Sequence, residues 1–247
     1  MDRMIYTALT GMNAAMDRQR MIASNLANAQ TTGFRAETFS VTPLTLEGPA
    51  LETRAFAHGV VRGADMRAGP ITQTGNPLDI ALRGEALLAV QASDGFEVYT
   101  RRGDLMVGPG GVVENGEGRP IMGEDGPLTV PLGRTIAIGE DGTVTAADPT
   151  APDAPPEVVG RLKLASPVGS PLQKDLNGFL RVPDGGILPA DPTAEVETGA
   201  LEQSNVDTAA TLVDMIEAQR SFEQQSKLFS TAGELDQAGA QLMSLRG

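Results

Sequence analysis

Apolar residues recur at three- and four-residue steps only near the two ends of the chain. Towards the C-terminus Ala209, Leu212, Val213, Ile216, Phe222 and Phe229 fall on one side of a helix. A second stripe, Leu228, Ala232, Leu235, Gly239, Leu242 and Leu245, continues it with a small rotation. Ser204 followed three residues on by Asp207 reads as a capping-box-like start, and the acid suits the positive end of the helix dipole. If helical throughout, the segment 201–247 is roughly 60 Å long at 1.5 Å per residue. That is more than is needed to cover the core of one domain, so the helix predicts a partner. At the N-terminus Ile5, Ala8, Leu9, Met12, Ala15, Met16, Ile22, Ala23 and Leu26 form a matching stripe, interrupted by Gln19. Asp2 can cap its start, and Asn25, Asn28 and Gly33 supply a stop, the glycine being free to take positive φ.

Between these ends the pattern changes. All 17 prolines lie between Pro43 and Pro192, and 25 of the 29 glycines lie between Gly33 and Gly199. Short apolar or alternating runs at 78–82, 86–91, 97–100, 135–138, 143–146 and 158–165 read as strands. Thr74-Gly75-Asn76-Pro77, Ser93-Asp94-Gly95 and Glu140-Asp141-Gly142 punctuate them as turns. The proline-rich run 148–156 reads as an exposed loop. The organisation predicted is a helix over 1–30, an extended connector over 31–72, a β-rich domain over 73–187, a return connector over 188–200 and a helix over 201–247.

Composition narrows the chemistry. With 40% hydrophobic residues, 4% aromatics and no tryptophan, the core must be aliphatic. A net charge of −13 argues against nucleic acid, which needs clustered Lys and Arg. The absence of cysteine excludes disulfides, thiolate zinc sites and cysteine nucleophiles. No apolar run reaches the length of about 20 residues that spans a bilayer. Thr7, Thr10, Gly11 and Asn13 break up the N-terminus, so no cleaved signal peptide is expected there.

Gly123-Glu124-Asp125-Gly126 and Gly139-Glu140-Asp141-Gly142 repeat one tetrapeptide 16 residues apart. They lack the ligand spacing of a calcium loop and read as hairpin turns. His58 is the only histidine, Gly108-Pro109-Gly110-Gly111 lacks the lysine of a phosphate loop, and no serine sits in a nucleophile elbow. No catalytic, cofactor-binding or metal-ligating residue is assigned. Apolar stripes ordinarily mark the core-facing side of a helix. Here both helices are long, terminal and separate from the β runs, which favours packing between molecules.

Five stretches together resemble the bacterial flagellar axial proteins of the rod and hook. They are the opening Met1-Asp2-Arg3-Met4-Ile5-Tyr6-Thr7-Ala8-Leu9-Thr10-Gly11-Met12; Ala23-Ser24-Asn25-Leu26-Ala27-Asn28-Ala29-Gln30-Thr31-Thr32-Gly33-Phe34-Arg35; Thr74-Gly75-Asn76-Pro77-Leu78-Asp79-Ile80-Ala81-Leu82; Tyr99-Thr100-Arg101-Arg102-Gly103; and Gly199-Ala200-Leu201-Glu202-Gln203-Ser204-Asn205-Val206. Met215-Ile216 and Arg220-Ser221-Phe222-Glu223 follow in the family's order. Asn25, Asn28, Gly33, Phe34, Gly75, Asn76, Pro77, Ser204 and Asn205 carry the signature. The pattern is departed from at Glu85-Ala86-Leu87-Leu88, where a Gly-aromatic-aromatic step is usual, and at Gly108–Gly111.

The resemblance implies an α+β fold whose long N- and C-terminal α-helices pair as a coiled-coil-like inner domain and bracket a central, mostly antiparallel β domain. It implies a structural subunit of the flagellar basal-body rod that performs no chemistry and binds no cofactor. Such a subunit assembles helically with copies of itself and other flagellar rod proteins, transmits torque and lines the export channel. Ile5, Leu9, Met12, Met16, Leu26, Val213, Ile216, Phe222 and Phe229 would carry the assembly interface. The Met-Asp-Arg opening and modest length favour the proximal rod, with the distal rod or hook as the alternative. Delivery to the periplasmic rod by the flagellar type III export apparatus, without a cleaved signal and without bilayer insertion, is expected. A secreted acidic β-domain enzyme with oligomerisation arms is the rival of a different class; the lack of tryptophan platforms argues against its acting on sugars.

Overall fold

The computed structural model describes residues 2–45, 55–151, 154–175 and 177–244; for 2–8, 41–45, 55–62, 232 and 235–244 only the backbone elements are described. The chain divides into two compact units. A helical unit comprises Met1–Ala27, Glu37–Gly63 and Asp207–Gly247, and a β unit comprises Asn28–Ala36 and Ala64–Val206.

In the helical unit, helix α1 spans Asp2–Ala27 and helix α2 spans Thr208–Ser244. Proline is absent from both, so each backbone hydrogen-bond series runs unbroken. Helix α2 continues through Gly233 and Gly239, and at 37 residues it is about 55 Å long. Its cap is Asp207 rather than Ser204: the Asp207 Oδ1 accepts from the N–H groups of Ala209 at 2.9 Å and Ala210 at 3.1 Å. Strands Glu37–Thr45 and Ala55–Ala64 pair in a two-stranded sheet, inside the stretch read as a connector. Asn25 ties α1 to the first of them, its Oδ1 accepting from Glu37 N at 2.8 Å and its Nδ2 donating to Glu37 O at 3.0 Å. The side-chain amide thus substitutes for a strand neighbour.

The α+β class holds, but the coiled-coil-like pairing does not. The helices pack side by side, yet among the described residues the buried positions on α2 are Thr211 and Ala218, and on α1 Ala15, Ile22 and Asn25. Leu9, Met16, Leu212, Val213 and Ile216 are exposed. A coiled coil buries its large aliphatic residues along the seam. Here Ile22 is the one large aliphatic residue buried on the described parts of the two helices, and Leu9, Met16, Leu212, Val213, Ile216 and Leu228 are exposed.

The β unit is built from short antiparallel pairings. Its largest sheet orders the strands Leu164–Ala165, Leu87–Gln91, Glu97–Thr100, Leu180–Arg181 and Gln173–Lys174. A three-stranded meander follows over Thr135–Ile138, Thr143–Ala147 and Glu157–Arg161. Strand Leu87–Gln91 is buried on both faces, because period-two alternation sends Leu88 and Val90 into one core and Leu87 and Ala89 into a second. The first core also gathers Ile80, Leu82, Val98, Ile121, Leu162 and Val196; the second holds Tyr99, Ala165, Leu180 and Leu188. Glu85-Ala86-Leu87-Leu88, which departs from the usual pattern, therefore supplies core residues to both faces. Each fully enclosed Leu or Ile side chain contributes on the order of 2 kcal/mol.

The turn chemistry is local. Gly95 and Gly142 take φ of 83° and 81° in their hairpins, and Asp141 holds its turn by accepting from Thr143 N at 3.0 Å and Thr143 Oγ1 at 2.7 Å. Both Gly-Glu-Asp-Gly repeats lie in hairpins of this kind. In the proline-rich loop the described residues 149–151 and 154–156 are exposed, while Pro152 and Asp153 lie outside the described residues.

Candidate functional site

The signature stretches meet in the β unit around one carboxylate. Strand Ala200–Glu202 pairs antiparallel with Ile71–Gln73. Alternation turns Ala200 and Glu202 inward, 0% and 1% exposed, and leaves Leu201 half-buried. The Glu202 carboxylate faces two arginines. Arg101 Nη2 and Nε each lie 2.7 Å from Glu202 Oε2, and Arg35 Nη1 lies 2.7 Å from Oε1. The Arg101 contact combines a hydrogen bond from Nε with an ionic approach of Nη2 to the same oxygen. The Arg35 contact is ionic and off the N–H axis, and Arg35 Nε has no hydrogen-bond partner among the described residues. Arg101 spends its remaining donors on backbone carbonyls, Ala86 at 2.6 Å, Leu82 at 2.8 Å and Gly84 at 2.9 Å. Burial pulls the Arg101 pKa down; the Glu202 charge opposes that and the Arg35 charge adds to it.

Backbone groups complete the knot. Gly69 N donates to Glu202 Oε1 at 2.7 Å, and Gly33 N donates to the Glu202 carbonyl at 2.7 Å. Gly33 takes φ of 67°, and a Cβ there would meet the carbonyl carbon of Arg101 at 2.4 Å, so no other residue fits without moving backbone. Asn205 accepts from Ala36 N at 2.7 Å and donates to the carbonyls of Asp65 at 2.8 Å and Arg67 at 2.9 Å. Lys174 stacks its ammonium 3.4 Å from the Phe34 ring centroid and donates to the Arg35 carbonyl at 2.7 Å.

A second tie lies beside it. Gly199, at φ 73°, accepts from Thr74 N at 2.8 Å and Gly75 N at 3.0 Å and donates to Asp79 O at 2.8 Å. Asn76 Nδ2 donates to Asp79 Oδ1 at 2.9 Å, and Pro77 follows in the same turn. In the second core Tyr99 donates to Glu97 Oε1 at 2.7 Å and accepts from Leu188 N at 2.7 Å. Burial, then the Glu97 carboxylate, pushes the Tyr99 pKa well above the ordinary tyrosine range.

Of the signature residues, Gly33, Phe34 and Asn205 join the Glu202 knot. Ser204 is buried and accepts from Val206 N at 3.2 Å. Gly75, Asn76 and Pro77 form the neighbouring turn. Asn28 accepts from Thr31 Oγ1 at 3.1 Å just after α1, and Asn25 belongs to the helical unit. Of the interface residues, Leu9, Met16, Val213 and Ile216 are exposed, and Met12, Leu26, Phe222 and Phe229 are half-buried. Ile5 lies in α1 with its side chain outside the described residues. Sequence reading singled out none of Arg35, Arg101, Glu202, Gly69 and Lys174. The available signal was that the first three charges sit inside the quoted motifs, within otherwise apolar or glycine-rich surroundings.

Apart from Arg35 Nε and Nη1, the polar groups described in this knot bond to the chain's own segments, which marks a structural element, and the class is that of axial proteins with such a β unit. Comparisons agree with this. The families Flagella basal body rod protein, Flagellar hook protein FlgE/F/G D1 domain and Flagellar basal body rod FlgEFG protein C-terminal match residues 5–35, 81–146 and 197–242. The chain is 40% identical to the flagellar basal-body rod protein FlgF of Salmonella typhimurium and 41% identical to that of Escherichia coli, over 99% of this chain and 100% of each relative. It is 30% identical to the rod protein FlgG of Agrobacterium fabrum over 94% of this chain and 96% of that one. The chain belongs to the flagellar basal-body rod protein family, on the side of FlgF, and is a structural subunit of the rod.

Proposed function

We propose that this subunit belongs to the proximal rod and assembles helically with copies of itself and with other flagellar rod proteins. In this reading it transmits torque, lines the export channel with its terminal helices and carries out no chemical reaction. It reaches the periplasmic rod through the flagellar type III export apparatus without a cleaved signal. The observation that carries the reading is the outward apolar surface of the helical unit. Val213 and Ile216 are 56% and 51% exposed, and Leu9, Met16, Leu212 and Leu228 join them. Large apolar residues grouped on one helix mark surface that another molecule covers. Head-to-tail contacts of that kind that do not close on themselves build filaments. No helix among the described residues is long and apolar enough to cross a membrane.

Placing aspartate at both positions, Val213→Asp with Ile216→Asp, adds charge to surface already wet in the monomer and forbids its burial in a filament. The expected outcome is loss of the subunit from isolated basal bodies and loss of motility. A motile strain with normal basal bodies contradicts the reading.

A further inference from the structure

Residues 196–205 are the last part of the β unit, and they pair with segments far earlier in the chain. Strand Val196–Thr198 lies against Ile80–Leu82, with Val196 opposite Leu82 and Thr198 opposite Ile80. Strand Ala200–Glu202 lies against Ile71–Gln73. Val196 is fully buried in the first core, and Glu202 is the only anion in contact with Arg35 and Arg101 among the described residues. The Arg35, Arg101 and Glu202 side chains are 3%, 1% and 1% exposed. Until Glu202 arrives, closing the fold would bury the Arg101 guanidinium without a contacting counter-charge and leave Arg35 only the more distant Asp65, a state opposed by desolvation. The strands Ile80–Leu82 and Ile71–Gln73 would also lack these edge partners.

We infer that residues 196–205 act as a closing strap, and that the Glu202 charge makes folding of the β unit conditional on the chain being present as far as Asn205. The β unit then stays open while any shorter length of chain is available and closes as one step when the strap docks. This holds for any directional delivery of the chain from its N-terminus, and it stands independently of the rod reading. Asn205, which bonds to the carbonyls of Asp65 and Arg67 and to Ala36 N, finishes the closure immediately before α2 begins.

The test uses ribosome-tethered chains ending after residue 195 or after residue 207, each followed by the same unstructured tether. Protease resistance of the segment 78–165 is the readout. The strap predicts that the longer chain is resistant and that the shorter is cleaved about 100-fold faster or more, the scale expected when a buried ion lacks its partner. Glu202→Gln in the longer chain keeps the shape and removes the charge, and it should be cleaved like the shorter chain. A peptide of residues 193–207 added to the shorter chain should restore resistance, and the same peptide with Glu202→Gln should not. Equal resistance at both lengths overturns the strap. A resistant Glu202→Gln chain, or rescue by the uncharged peptide, overturns the role given to the charge, and failure of the wild-type peptide to rescue overturns strap docking as the closing step.

Discussion

In the β unit Leu87, Leu88, Val90 and Tyr99 are completely enclosed, whereas in the helical unit Val213 and Ile216 stand more than half in solvent. The residue types are similar; what differs is where their partners come from. Strand Leu87–Gln91 finds apolar neighbours on both faces within its own unit. Among the described residues of helix α2, Thr211 and Ala218 are buried, and Leu212, Val213, Ile216 and Leu228 are exposed. The β unit encloses two apolar cores of its own, although Phe96, Leu132, Val158, Val168 and Ile187 of that unit are exposed as well. The contrast separates what the subunit needs in order to fold from what it needs in order to assemble.

The sharpest way to break the contrast is inside the knot. Arg101→Met removes the hydrogen-bonded partner of Glu202 and orphans the carbonyls of Leu82, Gly84 and Ala86, and should destabilise the β unit by about 3–5 kcal/mol. Urea denaturation followed by amide exchange in the strand Leu87–Gln91 would register this, and a loss confined to the helices would count against it. Next comes Gly33→Ala, which forces a Cβ against the Arg101 backbone in a positive-φ conformation. A loss of about 2–3 kcal/mol is expected, read as a lower urea midpoint for the β unit. A wild-type midpoint would show that the turn relaxes freely.

The smallest effect is alkaline. Tyr99 has a folded pKa raised above its ordinary 10.0. Its contribution is therefore fully present below pH 10 and is lost as pH rises above that value, because the unfolded chain releases the phenolic proton first. Stability of the β unit should fall above pH 10, and Tyr99→Phe should flatten that decline. An unchanged slope would mean the tyrosine does not report on the core.

Much of the β unit was legible because its rules are local. Strands at 97–100 and 135–138 and the turns at Gly95 and Gly142 follow from alternation and positive φ, which need only near neighbours. Both terminal helices followed from proline-free periodicity. Two features were not legible in the same way. Val213 and Ile216 were read as part of the assembly interface; in the monomer both are exposed, and Thr211 and Ala218 are the buried positions among the described residues of α2. Residue 201 was read as the start of the terminal helix, whereas Ala200–Glu202 is a strand and Glu202 turns inward. The reason for that turn lies 101 residues away in Arg101, a separation that no window of periodicity spans. Gly33 was read as a helix stop, yet α1 ends at Ala27, and the positive φ of Gly33 serves the close approach to Arg101.

The central claim is that one unit holds itself together while the other waits for neighbours. It is tested most directly by the doubly substituted chain, Val213→Asp with Ile216→Asp, through amide exchange on the purified full-length protein and its recovery in basal bodies. The account predicts wild-type protection across Ile80–Leu82 and Leu87–Gln91, together with absence from the rod. Loss of that protection, or normal recovery in basal bodies, would contradict it.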